Sequence, residues 1–260
     1  MKVLRVLLVW ILFFAAFAAP LVFALAQPVS SFVQSVTPGV VPIGTPTVIA
    51  SFGSGVVNVS SITTTTSAAI VSGDLVIIEV YMNASNAVDV SSISDGTNSY
   101  SLAVREDNLA QTGNEVEIWY KANAAAVGSG ATITVDLSGS TGASSGIAIV
   151  GAQVSGVLTS SPLDQTAGAQ GTTAASLTMT TSSLAKANEI AFGIAAIIGP
   201  ETYDGASGFN NLTSGETSAG NGEAWLDYKV VASMTGVTYA PTWATGSSRV
   251  TAAVATFKGN

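Results

Sequence analysis

Alternating apolar and polar residues run through most of the chain, and this pattern predicts β-strands. In the segment EVEIWYKA, Val116, Ile118 and Tyr120 share one face, because successive side chains of a strand point to opposite sides. Glu117 and Trp119 share the other face. We therefore expect Tyr120 in the core and Trp119 on the outside, among charged residues.

Longer apolar runs fall between turn residues elsewhere in the chain. The runs DLVIIEVYM (74–82) and GIAIVGAQV (146–154) are rich in β-branched residues and have the length of core strands. The segment SDGTNSY (94–100) predicts a hairpin turn, because an Asp-Gly pair accepts positive φ. No long stretch has the apolar period of a helix, so the pattern predicts an all-β protein.

The pattern of the first half returns in the second half with its landmarks in the same order. The paired landmarks are Asp74 with Glu189, Asp95 with Asp204, Tyr120 with Tyr228, and Gly156 with Gly259. A half of about 90 residues buries its sheet faces poorly alone, whereas two copies packed face to face bury a common core. The repeat predicts Tyr228 as a core position and Trp225 on the outer side of its strand.

The predicted fold is one pseudo-symmetric, internally duplicated antiparallel β-sandwich of the jelly-roll or immunoglobulin-like kind, with about 12–14 strands. It occupies residues 58–260, with its halves at about 58–157 and 172–260. Two separate immunoglobulin-like domains are the alternative that the pattern leaves open.

The first 26 residues have the pattern of a secretory signal peptide. Lys2 and Arg5 precede an apolar run from Val6 to Ala26, which ends in the small-residue sequence ALA. A retained anchor is the alternative, because about 20 apolar residues can span a bilayer. We expect a secreted, extracellular or cell-surface protein that has no membrane segment after cleavage.

Residues 27–57 form a segment unlike the rest, without charge, with four prolines and with many β-branched residues. Because proline is excluded from helix interiors and central strands, we expect an extended N-terminal arm. Such an arm can add a strand to the sheet of a neighbouring copy through main-chain hydrogen bonds. A flexible stalk and an edge strand of the protein's own domain are the alternatives. The side chains that would fill the neighbour's groove are Val40, Ile43, Val48 and Phe52.

Composition excludes several classes of function. Charged residues make up 9% of the chain and hydrophobic residues 48%, and the formal net charge is −8. An acidic chain with eight basic residues offers no basic surface to nucleic acid. The absence of Cys and His excludes disulfides, Cys or His metal sites and catalysis by Cys or His. We therefore expect no enzymatic activity, no catalytic residues and no cofactor, with calcium alone left open.

Two pairs of residues in the repeated segments are candidates for binding or chemistry. Trp119 and Trp225, if exposed, could stack on sugar rings or anchor an interface. Glu115 and Glu117 share a strand face, as the paired carboxylates of a glycosidase would. The pattern indicates no cleft beside them, so we interpret them as a solvated edge.

Loop residues supply the other candidates. Asp95 and Asp204 are only weak candidates for calcium ligands, because no EF-hand spacing accompanies them and an Asp-Gly turn explains both. Asn58, Asn83 and Asn211 each begin an N-glycosylation sequon, which matters only in a host that has that pathway.

Several segments resemble a β-sandwich module of secreted bacterial and archaeal surface proteins. The likeness covers about residues 60–260 and includes SGDLVIIEV, SDGTNSYSLAV, EIWYKANAAAVGSGATITVDL and the closing VTAAVATFKG. It implies a structural role at the cell surface and carries over no catalytic residues. The layout of signal peptide, arm and single sandwich is also similar to filament subunits that polymerise by donor-strand exchange.

The leading hypothesis is a secreted, non-enzymatic structural protein that polymerises with copies of itself through residues 27–57. The product would be a pilus-like filament or a surface layer. The alternative is an adhesin module that binds carbohydrate or another surface.

Overall fold

The computed structural model describes residues 44–57, 59–83, 88–107, 114–142, 145–172, 174–199, 202–216, 222–244 and 249–260. Within these ranges every regular element is a β-strand, and all strand pairs are antiparallel. The all-β prediction is confirmed. The described ranges hold 17 strands, more than the sequence predicts, because several of them are only two to five residues long.

The described residues of the first half form eight strands in two sheets. They are β1 (Thr47–Val57), β2 (Ser61–Thr65), β3 (Leu75–Asn83), β4 (Val90–Ser94), β5 (Ser101–Asp107), β6 (Asn114–Lys121), β7 (Thr132–Leu137) and β8 (Gly146–Ser155). The first central sheet has the order β1-β8-β3-β6-β5, and the first outer sheet has the order β2-β7-β4.

In the second half, nine strands in three sheets lie within the described ranges. They are β9 (Leu163–Gly171), β10 (Met179–Thr180), β11 (Glu189–Ile197), β12 (Tyr203–Ala206), β13 (Asn210–Glu216), β14 (Glu223–Val231), β15 (Thr238–Tyr239), β16 (Pro241–Trp243) and β17 (Val250–Lys258). The second central sheet has the order β13-β14-β11-β17-β9, and the pairs β10-β15 and β12-β16 form the second outer layer.

The two central sheets have the same strand order when one of them is read backwards. Strands β1, β8, β3, β6 and β5 then correspond in sequence order to β9, β17, β11, β14 and β13. The register also repeats, because Ile77 lies opposite Tyr120 in the first sheet and Phe192 lies opposite Tyr228 in the second. These positions agree with the landmarks that pair the two halves of the sequence.

The central cluster of apolar side chains lies between the two central sheets. Ile77 and Tyr81 from the first sheet meet Phe192, Leu226 and Phe257 from the second. The hydroxyl of Tyr81 crosses the interface and donates to the carbonyl oxygen of Ile197 at 3.4 Å. The two halves share this core, so the described part of the chain does not form two separate domains.

Two further apolar clusters cover the opposite faces of the central sheets. We call them the first outer cluster, on the first central sheet, and the second outer cluster, on the second central sheet. Ile78 of β3 packs under Ile133 of the first outer sheet. Trp225 of β14 packs with Tyr239 and Trp243 of the second outer layer. Strands β3 and β11 are therefore buried along nearly all of their length on both faces, which explains their continuous apolar runs.

Residues 47–57 belong to the sandwich, so the predicted domain boundary at residue 58 is corrected. They form β1, the edge strand of the first central sheet, with Thr47 opposite Ser155 and Val57 opposite Gly146. The sequence did not separate them from the arm because the whole of 27–57 lacks charge. The predicted signal peptide, the arm up to residue 43 and the candidates Val40 and Ile43 lie outside the described residues.

Phe52 anchors β1 on its neighbour. A Cβ placed on Gly151 of β8 would lie 2.5 Å from the Phe52 ring, so the ring occupies the space that a side chain at position 151 would take. Phe52 is buried in the first outer cluster, and Val48 packs against the central cluster. The two donor-strand candidates that the structure describes thus fill positions in the chain's own sandwich.

Asn188 joins the two ends of the described chain. Its side-chain Nδ2 donates to the carbonyl oxygen of Gly44, and its own carbonyl oxygen accepts the backbone N–H of Gly259. The backbone N–H of Asn260 donates to Gly156 at 3.0 Å. Residues 44 and 260 therefore meet at one end of the sandwich.

No helix in the described ranges is long and apolar enough to cross a membrane.

Candidate functional site

Trp225 is buried, so its predicted exposure is wrong. Only 7% of its surface is exposed, and its ring stacks on Tyr203 with centroids 4.5 Å apart. Trp119 is half-buried against the first outer cluster, and its Nε1–H donates to Glu117. Alternation assigned both indoles to the correct side of their strands, but the outer layers cover that side.

Tyr120 and Tyr228 lie at the edge of the central cluster, the side that the alternation predicts. Tyr120 packs against Phe257 with ring centroids 5.4 Å apart, and Tyr228 packs against Phe192 at 6.5 Å. Both tyrosines are only partly buried.

Glu115 and Glu117 form a buried acidic cluster around Arg105, so their interpretation as a solvated edge is wrong. The Arg105 Nη2 lies 2.5 Å from both Glu115 and Asp89, and its Nε lies 3.8 Å from Glu117. Burial, and then the neighbouring Glu117, raise the pKa of Glu115 to about 9, although Arg105 opposes both. A carboxyl group with this pKa keeps its proton at neutral pH. Glu115 is 5% exposed, and it lines neither of the two cavities described below.

Asp95 closes a self-contained turn in the first half. Its carboxylate accepts the backbone N–H groups of Thr97 and Asn98, the Asn98 amide and the Tyr100 hydroxyl. The Asn98 side chain is buried and also bonds both backbone groups of Ala125. The Asp-Gly turn explains this carboxylate without a calcium ion.

Asp204 occupies the corresponding turn of the second half, but here the turn is open. Asp204 and Ser207 are exposed, and a cavity of about 440 Å³ lies beside them. Its other lining residues include Phe209, Asn211, Asp227 and Thr242. Groups of three or more His, Cys, Asp or Glu that could hold a metal ion are absent from the described ranges.

Asp227 forms the floor of this cavity and is held by three donors. Its carboxylate accepts the hydroxyl of Tyr239 at 2.8 Å, the amide of Asn211 at 3.1 Å and the hydroxyl of Tyr203. Burial raises the pKa of Asp227, and the hydrogen bonds from Tyr203, Tyr239 and Asn211 lower it. The sequence missed this residue because alternation placed it on a solvated face. One signal could have found it: Asp227 stands at the position of the second half that corresponds to Trp119 in the first half, so the two halves differ there.

Glu79 is a second acidic residue that the sequence did not single out. It is 0% exposed on the central strand β3, between Ile118 and Val150 on neighbouring strands. Neither carboxyl oxygen has a hydrogen-bond partner among the described residues. Burial, and then the negative charge of Asp227, raise the pKa of Glu79 well above its ordinary value. The corresponding position of the second half is Ile194.

The three sequon asparagines differ in environment. Asn211 is exposed at the cavity and donates to Asp227. Asn83 is half-buried at the end of β3. Asn58 lies outside the described residues.

A second cavity, of about 540 Å³, adjoins the first and shares Ser207 and Ala240 with it. Lys229 lines it, and the Lys229 Nζ lies 5.7 Å from the centre of the Phe209 ring. The open turn of the second half is thus flanked by two depressions, one with carboxylates and one with an ammonium group.

Comparison with protein-family models, curated proteins and solved structures gives no match to this chain.

Proposed function

We propose that the chain is a secreted, non-enzymatic structural protein of the cell surface that polymerises with copies of itself by exchanging its N-terminal strand. The observation that carries the proposal is β1, an uncharged edge strand that pairs with β8 alone in its sheet. The signal-peptide pattern of residues 1–26 supports secretion. The scarcity of charged residues, at 9% of the chain, favours association over a dispersed monomer.

The contacts of β1 can be remade between copies without new chemistry. Its ladder to β8 extends from Thr47 to Val57, and Phe52 fills the space above Gly151. The same strand from a second copy would make the same hydrogen bonds and fill the same space. The free energies of the closed and exchanged forms would then differ mainly through the connection at residues 58–60 and the protein concentration.

The similarity of the two central sheets leads to a proposal about the origin of the fold. We infer an internal duplication, in which each half contributes one central sheet of a jelly-roll or immunoglobulin-like sandwich. The common strand order and the repeated register of Ile77–Tyr120 and Phe192–Tyr228 support it. In this view β9 is the counterpart of β1. Among the described strands β9 is connected to a neighbour at both of its ends, to β8 and to β10, whereas β1 is connected only to β2, and this difference favours β1 as the exchanging strand.

The exchange can be tested by cross-linking, because the chain contains no cysteine. Ser51 of β1 lies directly opposite Ala152 of β8. Opposite residues of an antiparallel pair have Cα atoms about 4.5–5.5 Å apart, which is within reach of a disulfide. In a mixture of Ser51→Cys chains and Ala152→Cys chains, exchange predicts a disulfide between different chains.

The double variant Ser51→Cys/Ala152→Cys supplies the second arm of the test. When oxidised as a monomer, it should keep β1 on its own sheet and remain unassembled until a reductant is added. Met234→Cys, at an exposed loop position, replaces Ala152→Cys in a control mixture that should not cross-link to Ser51→Cys. Electron microscopy measures filaments in each sample.

Three outcomes would overturn the proposal. They are filaments formed by the locked double variant, an assembled mixture of single variants without cross-links, and a mature secreted chain that stays monomeric at every concentration tested.

A further inference from the structure

The cavity beside Asp227 exists because the two halves of the molecule differ at one turn. In the first half, Asn98 is 2% exposed and fills the space behind Asp95. In the second half the corresponding residue is Ser207, which is exposed and too short to do the same. The glycines of both turns have positive φ, +83° at Gly96 and +99° at Gly205, so the backbone bend is similar while the side-chain packing is not.

The walls of the cavity are fixed by hydrogen bonds and ring packing. The Thr242 hydroxyl donates to the Gly205 carbonyl at 3.0 Å, which ties β12 to β16. The Phe209 ring packs on Tyr239 with centroids 4.9 Å apart, and the Phe209 N–H donates to Ala206. A site held in this way needs little ordering when a ligand binds.

The polar groups of the cavity suit hydroxyl groups. Asn211 spends one amide N–H on Asp227, which leaves its other N–H and its carbonyl oxygen for a ligand. The exposed carboxylate of Asp204 accepts hydrogen bonds, and the Ser207 hydroxyl both donates and accepts. A carboxylate and an amide side by side can bind two adjacent hydroxyl groups of one ring.

The charges of the cavity select against acidic ligands. Asp204 and Asp227 both line it, and like charges repel across a few ångströms. The half-buried Phe209 ring, with Tyr239 packed on it and the Lys229 Nζ 5.7 Å from its centre, adds apolar surface to the cavity of the kind that sugar rings contact. The volume of about 440 Å³ falls within the range of small-ligand sites.

From these observations we propose that the cavity lined by Asp204, Ser207, Phe209, Asn211 and Asp227 binds a neutral sugar ring. This binding site goes beyond self-assembly, because none of the residues that line it belongs to β1 or β8. It would let an assembled polymer bind glycans at every subunit. Many such sites along one polymer raise the total affinity for a glycan-bearing surface even when each site is weak.

The test titrates the secreted full chain, made in a host without N-glycosylation so that Asn211 stays unmodified. The probes are the methyl glycosides of glucose, galactose and mannose, with glucuronic acid as the acidic comparator. Calorimetry or ligand-observed NMR measures the Kd. At least one neutral glycoside should bind in the millimolar range or tighter, and the acidic sugar should bind at least about tenfold more weakly.

Variants locate the binding. Asn211→Ala should weaken it at least about tenfold, whereas Asn210→Ala, at the exposed neighbouring position outside the cavity, should leave it within about twofold. Ser207→Trp should abolish binding by filling the cavity, and it changes an exposed turn residue that the core does not need. Thermal unfolding confirms that each variant is folded. The proposal is overturned if no neutral glycoside binds at 10 mM, an order-of-magnitude limit for weak sites, or if binding persists in both Asn211→Ala and Ser207→Trp.

Discussion

Replacing Glu79 by leucine should stabilise the protein, and the gain should grow with pH. Both carboxyl oxygens of Glu79 are buried and have no hydrogen-bond partner among the described residues. A buried polar group without a partner costs about 1–3 kcal/mol, and leucine removes that cost while adding apolar contact. We expect Glu79→Leu to raise the free energy of unfolding by about 1–3 kcal/mol at pH 4, where the carboxyl is mostly neutral in both states.

The pH dependence follows from the direction of the pKa shift. Burial, and then the negative charge of Asp227, raise the folded-state pKa of Glu79 well above the ordinary 4.5. Above that pH the unfolded chain releases the proton and the folded chain retains it, so the stability of the wild type falls as pH rises. The fall is about 1.4 kcal/mol per pH unit for this one group, and it ends at the folded-state pKa. The advantage of Glu79→Leu should therefore grow with pH until the folded-state pKa of Glu79 is reached.

Urea unfolding of three variants at pH 4, 5, 6 and 7 would check both parts. Glu79→Gln cannot ionise but keeps a polar group in the core, so it should lose the pH-dependent part and gain little at pH 4. Ile194→Leu makes the matched change at the corresponding position of the second half, and it should keep the wild-type slope. A Glu79→Leu protein that is less stable than the wild type at pH 4, or that has the same slope between pH 5 and 7, would refute the reasoning.

Three further predictions concern the packing of β1, the acidic cluster and the outer layer. Gly151→Ala should destabilise the fold by about 1–3 kcal/mol, because the new Cβ would lie 2.5 Å from the Phe52 ring and 2.8 Å from the Ile77 carbonyl oxygen. Urea unfolding measures the loss of stability, and an unchanged midpoint would contradict the packing of β1. Glu115→Gln should flatten the fall in stability between pH 5 and 8, because the pKa of Glu115 is raised from 4.5 to about 9 and its folded-state proton is retained over that window; a slope equal to that of the wild type would count against a protonated Glu115. Trp225 fluorescence, isolated as the difference from Trp225→Phe, should resist quenching by iodide, since 7% of the residue is exposed; quenching at the rate of a free indole would exclude the outer layer.

The sequence predicted the central sheets well because their signal is local. The run in β3 and the alternation in β6 reflect packing against immediate neighbours, and they identified these strands and the inward side of Tyr120. The outer layers carry no such signal. Their strands are as short as Met179–Thr180, and alternation shows which side of a strand a residue takes, not whether another layer covers that side. Trp225 was misassigned for this reason.

The candidate site was predicted only in part. Asp204 was singled out because an Asp-Gly turn is visible in sequence. Asp227 was not, because its role depends on Tyr203 and Tyr239, which come from two separate strands of the outer layer. Glu79 gave no signal either, because a single acidic residue in an apolar run does not reveal whether the fold places a hydrogen-bond partner beside it.

The clamp at Asn188 has a mechanical consequence. The side chain of Asn188 bonds Gly44, its carbonyl oxygen bonds Gly259, and Asn260 bonds Gly156 close by. Tension between residues 44 and 260 would thus cross only a few main-chain and side-chain bonds at one end of the molecule. The tension would pass through these bonds and would not pass through the rest of the sandwich. Its three apolar clusters would bear little load until that clamp opened, so the clamp, and not the core, would set the force at which the chain first extends.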